Sequence, residues 1–358
     1  MCLPLWSGQE IWEQGLAKGD ELQRQGRYAE AERTYWSALQ AIQDDVSGRA
    51  RAIARLRSLA FAYRQSGRHP DSETLYRLIL TVWDEKRWPE DRDHATLLIG
   101  LADLYSSAAK YSDALPLYRR ALTIWEDVAG KDHVEVLPTL ANLATLLYRL
   151  RRYSEAIGLY RRALAIELSV LGSEHPDVAT TQNNIGAVYQ AMARYRDAEE
   201  LYRQALLVRK KTFGTLHPLV GSSLNNLGSL FAEEGRDMDA ERQFQRAIAI
   251  AEETIPPEER LLAVTFANWA RLRWNRKKYK DAEMLSLRAL AAWGKAVGPE
   301  HPNLAICLIN HAAILRKLKR RKEATQLEAR AKAIMAHRRL AGDFFTVDVS
   351  LLRPSKRR

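Results

Sequence analysis

From Leu171 to Gly214 the apolar residues fall into two amphipathic helical patterns separated by a short turn, LGSEHPDVATTQNNIGAVYQAMARYRDAEELYRQALLVRKKTFG. The same unit of apolar and polar faces recurs about eight times along the chain. One small residue marks the phase. It is Ala31, Ser72, Ala114, Ala156, Ala198, Ala240, Ala282 and Ala324, with a first step of 41 residues and later steps of 42. A fixed period in this range predicts stacked supersecondary units in place of one closed core. The predicted helix pairs lie near 9–42, 50–85, 91–128, 133–170, 175–212, 217–254, 260–296 and 301–340. A lead-in over 1–8, with Ser7 as candidate N-cap, precedes them, and a basic tail over 341–358 follows.

Each first helix, A, runs to a break such as Gln25-Gly26, Ser66-Gly67 or Glu234-Gly235. Each second helix, B, opens at motifs such as RYAEAE, KYSDAL, RYSEAI, RYRDAE and KYKDAE. Twelve residues before the phase-marking position stand Gly19, Ala60, Ala102, Ala144, Gly186, Gly228, Ala270 and Ala312. Four residues after it come Tyr35, Tyr76, Tyr118, Tyr160, Tyr202 and Phe244. Glycine inside a helix costs about 1 kcal/mol against alanine, so its use at Gly186 and Gly228 predicts close packing. An aromatic knob on B facing a small-residue hole on A is the expected core. Towards the C-terminus the aromatic position becomes Ser286 and then Glu328, and the tyrosine that opens helix B becomes Arg321. These polar replacements read as a solvating cap.

Ile185-Gly186-x-x-Tyr189 followed by Ala198-x-x-x-Tyr202-x-x-Ala205 resembles the tetratricopeptide repeat signature. The period of 42 and the connector Gly172-x-x-His175-Pro176-Asp177 are similar to the kinesin-light-chain type of this repeat. Echoes of that connector stand at Gly214-x-x-His217-Pro218, Gly298-x-x-His301-Pro302 and Gly130-x-x-His133. The resemblance is specific from about 91 to 318. It implies an all-α fold, a right-handed α-solenoid of about eight repeats twisted into a superhelix, with the A helices lining a concave groove. It identifies a repeat subclass and does not imply motor transport.

Apolar residues make up 46% and charged residues 28% of the 358, enough for a continuous core and too apolar for a disordered chain. The net charge of +11 favours acidic proteins, nucleic acid or anionic surfaces as partners. Two cysteines, Cys2 and Cys307, cannot build a disulfide framework, so a reducing, cytoplasmic setting is expected. No apolar run approaches the about 20 residues of a membrane span, and MCLPLWSGQE is not read as a signal peptide. Motifs for phosphate cradles, zinc ligation and nucleophilic catalysis are missing from the sequence, so no catalytic residue, metal or cofactor is assigned. His133, His175, His217 and His301 share one phase but lie a repeat apart, which suits a turn before a helix.

The candidate functional residues form an asparagine ladder on the A helices: Asn142, Asn184, Asn226, Asn268 and Asn310, doubled by Asn183 and Asn225. Asparagine is a mediocre helix former, and its amide offers both donor and acceptor to an extended peptide backbone. In groove binders of the resembled family, asparagines at this place hold bound peptide, which the resemblance implies here. The other reading has the amides bonding each other or neighbouring A helices to set the stacking, and both can hold. Ala17, Ser58 and Gly100 replace asparagine in the first three repeats, which places the site in repeats four to seven. Tyr148 and Trp274 are candidate aromatic anchors. Arg149, Arg271, Arg316 and Lys317 share the inward phase, and the last three predict a positive half-groove suited to an acidic ligand.

The expected function is a non-catalytic scaffold or adaptor that binds an extended or helical segment of a partner protein. The alternative is a regulatory adaptor for nucleic acid or another polyanion, using Arg77, Arg119, Arg161 and Arg203 with Arg120, Arg162, Arg246 and Arg288 on the outer face. The bland reading of those arginines is a solvated helix face. The tail, FFTVDVSLL followed by RPSKRR, either frays or folds back as an apolar segment.

Overall fold

The computed structural model describes residues 8–42 and 45–341; Ser7, Cys2 and the tail after Ala341 lie outside the described residues. Among the described residues there are sixteen α-helices and no strand. They are α1 Gly8–Arg24, α2 Tyr28–Ala41, α3 Val46–Gln65, α4 His69–Glu85, α5 Arg92–Ser107, α6 Tyr111–Ala129, α7 Leu137–Arg149 and α8 Tyr153–Leu171. The series continues with α9 Pro176–Ala191, α10 Tyr195–Phe213, α11 Pro218–Glu234, α12 Asp237–Glu253, α13 Glu259–Asn275, α14 Tyr279–Val297, α15 Pro302–Lys317 and α16 Arg321–Ala341. Odd-numbered helices are the A helices and even-numbered ones the B helices of eight successive pairs, an all-α solenoid fold. Two compact units divide the chain, one reaching Leu143 and the other running from Ala144 to Arg339. Both are built by the same local rules.

The turn from A to B has one geometry throughout. Gly26, Gly67 and Gly235, at the breaks legible in the sequence, have φ of 74°, 76° and 85°. At the equivalent positions Ala109, Arg151, Ala193, Lys277 and Lys319 hold φ between 56° and 66°. A left-handed conformation costs an L-residue about 1–2 kcal/mol. Backbone bonds offset that cost by satisfying the last carbonyls of helix A. After α9, the Ala193 amide donates to Gln190 O and the Arg194 amide to Tyr189 O, both at 2.9 Å.

A basic residue follows at every turn, and an acidic one stands three residues later, as in Arg68/Asp71, Arg152/Glu155 and Arg194/Asp197. The guanidinium closes the clasp at 2.9 Å in the first of these and 2.7 Å in the last. Each exposed pair is worth only a few tenths of a kcal/mol, and its acid also sits favourably at the positive end of helix B.

The core follows the predicted knob-and-hole pattern. The Tyr202 ring, 2% exposed, lies so close over Gly186 that an added Cβ there would come within 2.9 Å of it. Phe244 covers Gly228 in the same way, at 2.7 Å. The one serine at the phase-marking position, Ser72, is buried and donates to Ala60 O at 2.8 Å. One expectation needs correction: Ser286 is buried at 3% exposure, inside a pair that α15 and α16 still follow, so it solvates nothing. The polar cap is confined to α16, where Arg321 is exposed and Glu328 pairs with Arg316.

Connectors between pairs explain the histidines. Each of His133, His175, His217 and His301 is a helix N-cap whose Nδ1 accepts the amide of the residue two places on, at 3.2–3.3 Å. Before α3 and α5, which lack that connector, aspartate caps instead. Asp45 accepts from the Gly48 amide and starts α3 at Val46, four residues before the sequence pattern suggests. Asp91 caps α5 and also pairs at 3.0 Å with Arg49, a buried guanidinium stacked on Trp83 and Trp88.

Two substitutions test this account by urea denaturation. Lys277→Gly relieves the left-handed strain and is expected to stabilise by about 1 kcal/mol, whereas Gly235→Ala destabilises by a similar amount. His175→Ala removes a cap and is expected to cost about 1 kcal/mol, with His175→Asn restoring most of it; an equal loss in both would show that the imidazole packs and does not cap.

Candidate functional site

The polar row on the A helices is continuous within the second unit. Asn268 Nδ2 donates to Asn225 Oδ1 at 3.0 Å, Asn225 Nδ2 to Asn226 Oδ1 at 3.4 Å, and Asn226 Nδ2 to Asn183 Oδ1 at 2.9 Å. Four amides thus form a relay across α13, α11 and α9. Each bond between helices joins residues 43 apart, one more than the repeat, because a doubled asparagine offers its neighbour on the diagonal. Asn225 is 5% exposed, so its amide is committed to the protein. Asn184 and Asn310 are half-buried and stand outside the relay. Asn142 belongs to the first unit, where its Nδ2 donates to Asp103 Oδ1 at 3.2 Å. Tyr118 OH donates to the same carboxylate, and burial pushes the Asp103 pKa upward.

A second polar line runs beside the relay. Tyr202 OH donates to Gln190 Oε1 at 3.0 Å, and Gln190 Nε2 reaches Ser229 Oγ at 3.4 Å. Arg271 Nη2 donates to Ser229 Oγ at 3.0 Å and to Glu233 Oε1 at 3.4 Å. Both candidate anchors are propped by the first aromatic of their own B helix. Tyr148 packs on Tyr153 with ring centres 5.9 Å apart, and Trp274 meets Tyr279 edge-on at 5.3 Å. Such contacts restrict the rings before any ligand arrives, which lowers the ordering cost of binding. Burial raises the Tyr148 pKa, so its hydroxyl stays protonated and able to donate.

The charges differ from the expected positive half-groove. Arg271 is matched by Glu233, and Arg316 makes a two-pronged bond to Glu328 at 2.8 and 2.7 Å. Arg149 is exposed and engaged within the protein. Lys317 stands 6.0 Å above the Trp274 ring. The surplus on this face therefore shrinks to about one lysine, which weakens the case for an acidic ligand.

Most of the outer arginines are engaged within the protein as well. Arg77 donates to Tyr105 OH at 2.6 Å and pairs with Glu73 at 2.8 Å, and Arg161 donates to Tyr189 OH at 2.6 Å. Arg203 pairs with Glu199, and Arg120 with Glu90, both at 2.6 Å. The Glu73–Arg77 and Glu199–Arg203 pairs are i,i+4 contacts within one helix, whereas the arginine–tyrosine ties between neighbouring pairs were not legible in the sequence, although their constant spacing of 28 residues carries the signal. Among the described residues no cluster of histidine, cysteine or acidic side chains could hold a metal ion, and no helix is long and apolar enough to cross a membrane.

Comparison with known proteins agrees with this architecture. The tetratricopeptide repeat profile matches at residues 50–127, 93–169, 135–209, 177–253 and 261–336. No curated protein sequence matches the chain. Among solved structures, the apo quorum sensor NprR of B. thuringiensis superposes with a TM-score of 0.61 at 15% identity, over 93% of this chain and 89% of that one. Apo RapI gives 0.59 at 14% identity, over 79% and 97%. The TPR-like repeats of a Podosopora anserina kinesin light chain give 0.50 at 23% identity, over 55% and 94%. At these identities the likeness is one of fold, a fold that generally serves as a non-catalytic protein-interaction scaffold. Matched by five overlapping or consecutive profiles over most of its length, the chain belongs to the tetratricopeptide repeat family.

Proposed function

We propose that this chain is a non-catalytic scaffold that binds an extended or helical segment of a partner protein on the A-helix face of repeats four to eight. The observation that carries the reading is the half-buried amide row Asn184, Asn226, Asn268 and Asn310, set among the propped aromatics Tyr148 and Trp274. An amide has two N–H groups and two lone pairs. The relay uses only part of that capacity at Asn226 and Asn268, and none at Asn184 or Asn310. Spare donors and acceptors at fixed intervals suit a peptide backbone, which presents both. Neutral bonds worth about 1 kcal/mol each, with one aromatic anchor, support micromolar affinity near −8 kcal/mol.

Charge gives the outer face less support as the binding surface, because Arg77, Arg120, Arg161 and Arg203 are tied to the protein's own tyrosines and carboxylates. A cytoplasmic setting fits the same reading. Burial pushes the Cys307 thiol up to about 12, which keeps it protonated and unreactive.

The two roles of the asparagines separate by mutation. Asn225→Ala leaves relay partners unsatisfied and is expected to cost about 1–3 kcal/mol in urea unfolding. Asn184→Ala/Asn310→Ala is expected to change stability by less than about 0.5 kcal/mol yet to lose the protein captured by crosslinking and mass spectrometry at both low and high salt. Retention of that partner by the double variant, with its capture abolished by salt alone, would sink the reading.

A further inference from the structure

Six cations without an acidic partner crowd one edge of the last two repeats. Positions 276–283 and 318–325, the A-to-B turn and the start of helix B, hold eight lysines and arginines against three acids. The equivalent positions 234–241 of the sixth pair hold one cation and four acids. Of the eight, Arg276 is held by Asp237 at 2.6 Å, and Arg320 binds both Glu283 and Glu323. Lys277, Lys278, Lys280, Lys319, Arg321 and Lys322 are exposed and make no ion pair among the described residues. Of the three acids, Asp281 alone has no close partner, standing 4.0 Å from an Arg273 that Glu241 holds at 2.8 Å.

The repeat brings these charges together. Lys277 and Lys319 hold the left-handed turn, with φ of 59° and 66°, and Lys280 and Lys322 fall one repeat apart at the start of α14 and α16. The Arg320 bond to Glu283 and the seat of Lys317 above the Trp274 ring set the two turns side by side. Cations at the start of a helix oppose its macrodipole, whose positive end lies there. Their accumulation weakens both helix starts, so it points to an anion outside the fold. Further along, α14 departs from the other B helices in a second way. Met284 and Leu287 continue the outward stripe of Lys280 at i+4 and i+7 and are 63% and 51% exposed. The phase of Leu287 is arginine in Arg77, Arg119, Arg161 and Arg203, and that of Met284 is Glu200 and Arg242 in the two preceding repeats. Repeat seven thus joins a basic turn to an apolar outer stripe.

We propose that this edge docks on the surface of an anionic phospholipid bilayer. The lysines meet headgroup phosphates and carboxylates as hydrated point charges, and Met284 and Leu287 enter the boundary between headgroups and acyl chains. Nucleic acid fits less well, because exposed apolar side chains find no burial beside a phosphate backbone. The one aromatic among the lysines, Tyr279, is half-buried against Trp274 and poorly placed to stack on a base. This site goes beyond the scaffold reading and is separate from the A-helix face, so the asparagine variants leave it unchanged.

The test is cosedimentation of the full chain with phosphatidylserine-rich vesicles and with phosphatidylcholine vesicles. Binding about tenfold or more tighter to the first supports the site. Lys278→Gln/Lys280→Gln/Arg321→Gln/Lys322→Gln, with an unchanged melting curve, is expected to weaken that binding by about 100-fold. Met284→Gln/Leu287→Gln is expected to weaken it by about three- to tenfold. The residues after Ala341 are intact in both variants, so binding carried by them would leave both undiminished. Equal binding to the two kinds of vesicle, or binding to neither, overturns the proposal. So does undiminished binding by either variant. Release of the wild type from vesicles by competing duplex DNA also overturns it, since the preferred anion is then a nucleic acid.

Discussion

The contact between an aromatic ring on six of the eight B helices and a glycine or alanine on the paired A helix is the constraint on which the molecule depends. Tyr35, Tyr118, Tyr202 and Phe244 are each no more than 2% exposed. Their small counterparts leave room for the ring and little else, as the close approaches at Gly186 and Gly228 show. Fixing that distance fixes how the two helices of a pair lie together. The left-handed turn and the charged clasp then fall at the same place in every pair, with geometry so constant that alanine, arginine and lysine accept a conformation better suited to glycine. A local strain of this kind persists only where the surrounding packing over-determines the backbone.

Polar side chains carry the register from one pair to the next. On the A-helix side the asparagine relay does so, and on the outer side arginine reaches a tyrosine hydroxyl 28 residues on. Neither kind of bond adds much stability beyond replacing water. The relay penalises a slipped stacking, because the buried Asn225 amide without its partners is costly. The same bonds change the meaning of the net charge of +11: on the faces that matter for binding, much of the positive charge is already spent within the protein.

Repeats four and five show how far the scheme bends. The buried position near the end of helix B is tryptophan at Trp83, Trp125 and Trp293, but Glu167 and Arg209 occupy it in α8 and α10. Glu167 accepts from Thr181 Oγ1 at 2.9 Å, and burial raises its pKa. Arg209 donates to Ser223 Oγ at 2.8 Å and to Thr180 Oγ1 at 3.3 Å, and burial lowers its pKa. Hydroxyls on the A helices offset part of what desolvation costs these two charges. No aromatic ring remains at that position in either repeat.

The period, the all-α class, the aromatic and small-residue partners and the phase of the asparagines were legible in the sequence. Each is a local pattern reproduced in successive copies, so one contact rule explains them all. The tertiary structure decided what recurrence does not encode. It set the left-handed turns at Ala193 and Lys277, where no glycine announces them, and made caps of the histidines. It also showed Asn226 bonded to Asn183, Arg271 neutralised by Glu233 and Ser286 buried in place of solvated. Pairings of this kind depend on ångström-scale placement of side chains from separate helices, and that placement exists only once the helices have packed.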